Sequence, residues 1–210
     1  MAFAAGTRLG SYEIQAALGA GGMGEVYRAR DTRLNRIVAI KVLAQHVSNN
    51  PEAKQRFERE AKTIAALNHP HICTLYDVGH DNGTDYLVME LLDGETLARR
   101  LERGPIPPRE AMKHAIEIAD ALDRAHREGV THRDLKPGNV MLTTFGVKLL
   151  DFGLAKLKEP ESKPSTLSAL PTNADLTAEG TVLGTLQYMA PEQLEGRDRK
   201  STRLNSSHRL

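Results

Sequence analysis

The alternation of hydrophobic and polar positions divides the chain into a strand-rich first part and a helix-rich second part. Short apolar stretches of β-favouring residues predict strands at Tyr12–Ile14, Val26–Ala29, Ile37–Val42, Ile72–Val78 and Tyr86–Leu92. A helix is predicted after Asn50, because Pro51 suits the first helical position and Glu52 the first turn. Its apolar residues recur at helical spacing until Pro70 ends it. The first ninety residues therefore predict a small sheet with one helix.

Helical spacing dominates the following residues. Arg109–Glu128 predicts a helix that ends before Gly129. Its predicted apolar face consists of Met112, Ala115, Ala119, Leu122 and His126. Two short strands, Val140–Leu142 and Val147–Leu150, are predicted around a tight turn, and the polar composition of Leu157–Gly180 predicts a mobile segment. The whole pattern is typical of an α+β protein.

Composition excludes several classes of protein. The chain has 210 residues, of which 40% are hydrophobic and 26% charged, with no apolar run long enough to span a membrane and no signal peptide. Cys73 stands alone, which excludes an internal disulfide and a cysteine-based zinc site. The net charge of +1 gives no electrostatic argument for nucleic acid. We therefore expect a soluble protein of a reducing compartment, without a nucleic-acid partner or a membrane segment.

The last residues differ in character from the rest. Residues 198–208 read DRKSTRLNSSH, without apolar periodicity or capping residues. One back-translation of this stretch resembles the adapter that is ligated to fragments in short-read DNA sequencing. We interpret residues 198–210 as a non-native tail after Arg197, which should be excluded from fold reasoning. An ordinary polar tail is the alternative.

A glycine-rich loop joins the first two predicted strands. Gly19–Gly24 followed by Val26 fits the pattern G-x-G-x-x-G-x-V, in which glycines let backbone N–H groups approach phosphate oxygens. Dinucleotide-binding folds share this spacing, but there the motif must open a helix, whereas Glu25–Ala29 predicts the returning strand of a hairpin. A flexible turn without a ligand is the alternative for the glycines alone.

Lys41 ends the apolar strand that reads VAIK. Its ammonium can offset the charge of a phosphate tail, but burying it unpaired would be costly. Glu60 is the predicted partner, because it lies beside the inward stripe of its helix. A solvated surface carboxylate is the alternative for Glu60.

Thr131–Asn139 concentrates catalytic residue types in a loop between a helix and a strand. Asp151 follows twelve residues after Asn139, at the end of a strand and at the start of D-F-G. Because carboxylate and amide oxygens suit a hard cation, these two residues are predicted to share Mg²⁺. A simple turn aspartate is the alternative for Asp151 taken alone.

Together these motifs resemble the protein kinase family, and more narrowly the bacterial, eukaryotic-type serine/threonine kinases. The resemblance runs from about Tyr12 to Glu195 and includes the glycine loop, V-A-I-K, H-R-D-x-K-x-x-N, D-F-G and Ala190–Glu192 in order. It implies an α+β, bilobal protein-kinase-like fold. The implied N-lobe, residues 12–92, is a small antiparallel sheet with one helix, and residues 93–197 form an incomplete, mainly helical C-lobe.

The resemblance implies that ATP, with Mg²⁺, donates its γ-phosphate to Ser or Thr hydroxyls of protein substrates. Asp134 accepts the proton of the substrate hydroxyl, Lys136 steadies the γ-phosphate, and Asn139 and Asp151 bind Mg²⁺. His132 is expected to be a buried scaffold group. The implied ATP-binding residues are Leu18, Gly19, Gly21, Gly22, Gly24, Val26, Ala39, Lys41, Glu60, the gatekeeper Met89, Glu90, Leu92 and Met141.

The resemblance also implies a phosphorylation switch. Arg133 precedes the catalytic aspartate, and a phosphate in the activation segment would pair with its guanidinium. Thr177 and Thr181 are the candidates for this phosphate, including by autophosphorylation in trans. Ordinary linker hydroxyls are the alternative.

Kinases of this type continue beyond the Ala190–Glu192 motif into further helices that cover the catalytic loop. We therefore expect an incomplete, cytoplasmic catalytic domain with weak or no activity of its own, whose parent would carry any membrane anchor in a missing C-terminal region. A nucleotide-binding or scaffolding pseudokinase is the second hypothesis, although the residues for catalysis are intact. A dinucleotide-dependent oxidoreductase is the third, and it lacks the helix expected after Gly24.

Overall fold

The computed structural model describes residues 3–21, 24–43, 61–152 and 188, and all of these except Tyr188 belong to a unit that spans Met1–Thr166. Its larger sheet has six antiparallel strands in the order β1-β2-β3-β4-β6-β5. Their bounds are β1 Arg8–Leu9, β2 Tyr12–Gly21, β3 Gly24–Asp31, β4 Arg36–Val42, β5 Leu75–Asp81 and β6 Thr84–Glu90.

A smaller sheet and two helices follow β6. The three antiparallel strands are β7 Gly94–Thr96, β8 Val140–Thr143 and β9 Gly146–Leu149. The helices are α1 Leu97–Glu102 and α2 Pro108–Arg127, and a 3-10 turn covers Pro137–Asn139. Residues 61–65 are also helical. Within the described ranges, no helix is both long and apolar enough to cross a membrane.

The alternating directions of successive side chains give the larger sheet two different faces. On the outer face, Tyr27, Ile40 and Val88 are at most 1% exposed and form a core with Leu9 and Tyr12. The opposite face, which we call the Lys41 face, carries the intervening residues, because successive side chains of a strand point to opposite sides. A second core continues from this face to the residues of α2, β8 and β9.

The segment before β5 ties the two sheets together. Ile72 forms a parallel bridge with Leu149 of β9. The Cys73 N–H donates to the Leu149 carbonyl at 2.9 Å, and the Leu149 N–H donates to the His71 carbonyl at 2.9 Å. These bonds place the end of β9, and hence Asp151, next to the Lys41 face of the larger sheet.

The predicted α+β fold class is confirmed, but three details differ from the prediction. The sequence analysis missed β1, β7 and α1, which have two, three and six residues, too few for periodicity to show. The fourth predicted strand is shifted, since β5 begins at Leu75 and the preceding Ile72 makes only an isolated bridge.

The third difference is the inward face of α2, for which the prediction was wrong. Met112 is 63% exposed, whereas Ala121 and Ala125 are fully buried against the core. Glu117 also points inward and accepts the Val147 N–H at 2.9 Å. Ile118 and Leu122 pack against the same core, so Leu122 is the one residue of the predicted face that contacts it, while Met112, Ala115, Ala119 and His126 are exposed.

Candidate active site

Lys41 lies at the end of β4 in a row with Val26 of β3 and Leu87 of β6. Its Nζ forms an ion pair with Asp151 Oδ2 at 2.7 Å, and the two side chains are 5% and 16% exposed. Asp151 follows β9 and has a positive φ of 58°, which a non-glycine residue adopts only when its surroundings hold it there. A buried ion pair therefore joins the sheet to the start of D-F-G.

The catalytic loop is organised around Asp134. Asn139 Nδ2 donates to the Asp134 carbonyl at 2.8 Å and to Asp134 Oδ2 at 3.0 Å. Lys136 Nζ lies 2.8 Å from the same Oδ2. Both contacts therefore go to the same carboxylate oxygen of Asp134.

Asn139 and Asp151 are brought together by the backbone. The Leu150 N–H donates to the Asn139 carbonyl at 2.9 Å, so the loop lies against the residue that precedes Asp151. Both N–H groups of the Asn139 amide are directed to Asp134, which leaves the amide oxygen as its free ligand atom.

These two residues fit a magnesium ion. Mg²⁺ binds proteins through one or two oxygen ligands and keeps waters or substrate phosphates in its other positions. The described part of the chain holds no group of three or more His, Cys, Asp or Glu side chains that could hold a metal ion. One carboxylate and one amide oxygen are the hard, sparse donor set that Mg²⁺ accepts.

His132 is a buried scaffold residue, as predicted. It is 2% exposed, and its ring packs on Phe152 with 4.6 Å between the centroids. Burial lowers the pKa of His132, and the nearby carboxylates of Asp134 and Asp151 only partly oppose this shift. The imidazole is thus neutral, and it packs the loop that contains it against Phe152.

A polar cluster holds the segment that follows β6. Lys148 Nζ of β9 lies 2.7 Å from Glu90 Oε2, and the Thr74 N–H donates to the same oxygen at 3.3 Å. The Glu90 N–H donates to the Thr74 carbonyl at 2.9 Å. Three polar contacts therefore hold the predicted hinge residue Glu90 in place. Leu92, two positions later, is half-buried.

The residues predicted to contact adenine are distributed over both sheets. Val26, Ala39 and Met89 share the Lys41 face, because Ala39 pairs with Met89 and Val26 with Lys41. Met141 lies in the smaller sheet opposite Lys148, on the side that faces Glu90. Leu18 lies where the β2–β3 register shifts and is 52% exposed.

The glycine loop is a tight hairpin between β2 and β3. Gly19 pairs with Val26, and Gly21 pairs with Gly24. Gly24 has a φ of 116°, and a Cβ there would lie 1.9 Å from the Val42 carbonyl oxygen. Only glycine fits this close approach of the hairpin to β4.

A small cavity of about 20 Å³ lies behind Met89. Cys73, Ile64, Leu87 and Phe152 are among the residues that line it. Burial, together with the charge of Glu90, raises the pKa of the Cys73 thiol to about 12. The thiol is therefore protonated at neutral pH and a poor nucleophile.

Several predicted site residues lie outside the described ranges. They are Gly22, Glu60, Gly153, Thr177, Thr181 and the Ala190–Glu192 motif, together with residues 198–210. The predicted Lys41–Glu60 pair therefore stays a prediction.

Sequence reasoning missed two residues of the site. Lys148 was not singled out, although it pairs with Met141 in neighbouring strands. The two side chains therefore lie on the same face of the smaller sheet, and Met141 is a predicted adenine-site residue. Thr74 contributes only backbone groups to Glu90, and nothing in its side chain signals this.

Comparison with known proteins agrees with this geometry. Residues 12–205 match the protein kinase domain family. The chain is 43% identical over 193 residues to the probable serine/threonine-protein kinase SCO3848 of Streptomyces coelicolor, covering 89% of this chain and 27% of that protein. It is 43% identical over 202 residues to the serine/threonine-protein kinase PknA of Mycobacterium tuberculosis, covering 91% of this chain and 43% of that protein.

Among solved structures, the PknI kinase domain of M. tuberculosis is similar, with a TM-score of 0.67 and 35% sequence identity over 72% of this chain and 62% of that one. The predicted bilobal kinase fold is thereby confirmed. The chain spans well under half the length of the two curated relatives, at 27% and 43%. The family implies ATP, a divalent metal and protein substrates with Ser or Thr acceptors. The motifs, the site geometry and the matches together show that the chain belongs to the protein kinase family, among the bacterial serine/threonine-protein kinases.

Proposed function

We propose that this chain is part of the catalytic domain of a serine/threonine protein kinase, which transfers the γ-phosphate of ATP to Ser or Thr hydroxyls of proteins. The observation that carries the proposal is one connected site: the Lys41–Asp151 ion pair and the Asp134–Asn139 cluster are joined through the Leu150–Asn139 backbone bond. These side chains come from β4, the catalytic loop and the segment after β9. Their types and connections suit phosphoryl transfer.

Asp134 acts on the acceptor hydroxyl in this proposal. Lys136 and Asn139 hold Oδ2 of its carboxylate, so the other oxygen orients the hydroxyl and accepts its proton. The hydroxyl oxygen forms a bond to the γ-phosphorus as the bond to the leaving ADP oxygen breaks. Lys136 also places positive charge beside the transferred phosphoryl group.

Lys41 and the glycine hairpin hold the phosphates. Lys41 contacts the α- and β-phosphates, and Gly19, Gly21, Gly22 and Gly24 cover them. Asn139 and Asp151 would hold Mg²⁺, which would supply positive charge at the phosphate oxygens. Leu18, Val26, Ala39 and Met141 form the apolar adenine slot. Met89 is its gatekeeper, Glu90 and Leu92 are hinge residues, and Glu60 is the partner of Lys41.

The domain boundaries and regulation are also proposals. We assign residues 12–92 to the N-lobe, 93–197 to part of the C-lobe and 198–210 to a non-native tail. Thr177 and Thr181 are the proposed phosphorylation sites. They are modified in trans, and the phosphate pairs with the Arg133 guanidinium. The expected cytoplasmic location stays a prediction.

The proposal is tested with the product of the complete reading frame. Incubation with γ-labelled ATP, Mg²⁺ and a generic protein substrate should give phosphoserine or phosphothreonine, and EDTA should abolish the transfer. Mass spectrometry should locate phosphate within residues 166–185. Labelling of tyrosine alone, or no transfer by the wild-type protein, would contradict the proposal.

A further inference from the structure

Residues 3–9 precede the part of the chain that matches the family, yet they are built into the larger sheet. Leu9 is 2% exposed in the outer-face core. The Gly6 N–H donates to the Ile14 carbonyl at 2.8 Å, and the Ile14 N–H donates to the Thr7 carbonyl at 2.9 Å. The Tyr86 hydroxyl donates to the Leu9 carbonyl at 3.4 Å. The segment is therefore fixed to the sheet along its length.

Phe3, at the beginning of this segment, contacts the buried Tyr27 of β3. The Phe3 N–H donates to the Tyr27 hydroxyl oxygen at 2.9 Å. The Phe3 ring packs edge-on against the Tyr27 ring, with 5.7 Å between the centroids and 77° between the planes. Tyr27 is 1% exposed. Phe3 thus covers the Tyr27 ring, and its backbone N–H bonds the Tyr27 hydroxyl oxygen.

A hydrogen bond links Tyr27 to Glu25. Its hydroxyl donates to the Glu25 carboxylate, two residues earlier on the same face of β3. Burial and this carboxylate raise the pKa of Tyr27, so the hydroxyl stays a donor. Phe3, Tyr27 and Glu25 form a continuous relay of polar contacts.

Glu25 lies at the base of the glycine hairpin. It pairs with Ala20 of β2 and with Val42 of β4, and it follows Gly24 directly. Fixing its side chain on the outer face restrains the strand from which the hairpin extends. The relay therefore runs from the N-terminal segment to the loop that covers phosphates on the Lys41 face.

We propose that residues 3–9 act as a strap that positions the glycine hairpin, with Phe3, Tyr27 and Glu25 as the positioning residues, and that the strap thereby sets the affinity for nucleotide. The statement about nucleotide rests on the proposed function, whereas the statement about the hairpin does not. Loss of the strap leaves Asp134, Lys136 and Asn139 in place. The strap should therefore affect the KM for ATP more than kcat.

Tyr27→Phe is the direct test, and Tyr12→Phe is its matched control. Both tyrosines belong to the outer-face core, and both hydroxyls donate to a carboxylate, that of Tyr12 to Asp77 at 2.8 Å. Tyr12 begins β2, nine residues before Gly21 at the hairpin end, whereas Tyr27 lies three residues after Gly24 and bonds to Glu25 at the hairpin base. Each change removes one oxygen atom and leaves the ring packing intact, so the protein should fold in both cases.

Amide hydrogen exchange of the nucleotide-free protein reports on the hairpin itself. In the product of the complete reading frame, exchange at residues 19–25 should be several-fold faster in Tyr27→Phe and unchanged in Tyr12→Phe. The KM for ATP should rise roughly three- to tenfold in Tyr27→Phe alone, the range that corresponds to the net contribution of a typical hydrogen bond. Equal hairpin exchange in the two variants would overturn the strap.

A deletion provides an independent check. Removing residues 2–5 should speed hairpin exchange as much as Tyr27→Phe does, and combining both changes should add nothing further, because they interrupt one relay. Additive effects would overturn the proposal. If Tyr27→Phe speeds exchange at residues 19–25 but the wild-type protein binds no ATP, the strap is supported and the proposed function is contradicted. If the wild-type protein binds ATP but Tyr27→Phe leaves this exchange unchanged, the strap is overturned and the proposed function stands.

Discussion

Replacing Lys41 with methionine should destabilise the nucleotide-free protein by about 3 kcal/mol. The Lys41 Nζ and Asp151 Oδ2 atoms lie 2.7 Å apart, and both side chains are largely buried, at 5% and 16% exposure. At an effective dielectric constant of about 20, their Coulomb attraction is about 6 kcal/mol. Desolvation offsets a large part of this, and removing one partner of such a pair typically costs about 3–5 kcal/mol.

A double-mutant cycle separates the pair from the loss of side-chain packing. Lys41→Met, Asp151→Asn and the double variant are compared by urea unfolding without nucleotide, in the product of the complete reading frame. The cost of the double variant should be about 2 kcal/mol smaller than the sum of the two single costs, because each single change already removes the attraction between the two groups.

The control is Lys113→Met. Lys113 Nζ lies 3.7 Å from Glu117 Oε1, but its side chain is 68% exposed, so its removal should cost less than about 0.5 kcal/mol. Costs of Lys41→Met and Asp151→Asn that add within about 0.5 kcal/mol would refute a stabilising ion pair.

Two further predictions concern the scaffold of the site. Burial lowers the pKa of His132 in the folded state, so below the ordinary histidine value of about 6.5 the unfolded chain binds more protons and stability falls as pH falls. The stability of His132→Phe, followed by urea unfolding from pH 7.5 to 5, should therefore depend less on pH than that of the wild type, and parallel curves would contradict this. Lys148→Met should lower the free energy of unfolding by about 1 kcal/mol, because the Glu90 carboxylate loses its 2.7 Å ion pair. A cost no larger than that of Lys113→Met would show that this pair is not stabilising.

The arrangement of the site was largely predictable because its residue types follow one another in a fixed order. Lys41, Asp134 and Asp151 lie on different elements, and the resemblance of their motifs to those of protein kinases implies that they share one site. The structure places Lys41 against Asp151, a contact between residues 110 positions apart. No local pattern contains this contact, so the sequence analysis named Glu60 alone as the partner of Lys41.

The packing direction of α2 was predicted wrongly because the helix carries two apolar stripes. Ile118, Ala121, Leu122 and Ala125 recur at helical spacing and pack against the core. Met112 and Ile116 form an apolar stripe at helical spacing, yet both are 63% exposed. Ala121 and Ala125 lie inward because their small side chains let the helix approach the core closely. The hydrogen bond that the Val147 N–H donates to the Glu117 carboxylate then fixes the rotation of the helix, and this depends on a partner strand that periodicity does not contain.

The relay from Phe3 to Glu25 was also absent from the sequence analysis. Its first bond uses the backbone N–H of Phe3, and its second joins Tyr27 and Glu25 at i, i+2. Both side chains are ordinary strand residues in the sequence. Only the return of residues 3–9 along the outer face makes them a connected group.

The role of Asp134 is tested most directly by single-turnover phosphoryl transfer from ATP to a protein substrate, with ATP affinity measured on the same samples. Asp134→Asn should lower the transfer rate by roughly 10²–10⁴-fold, the usual contribution of acid–base assistance, while the dissociation constant for ATP changes little. Retained wild-type turnover in Asp134→Asn would contradict the assignment of Asp134 as the group that accepts the hydroxyl proton.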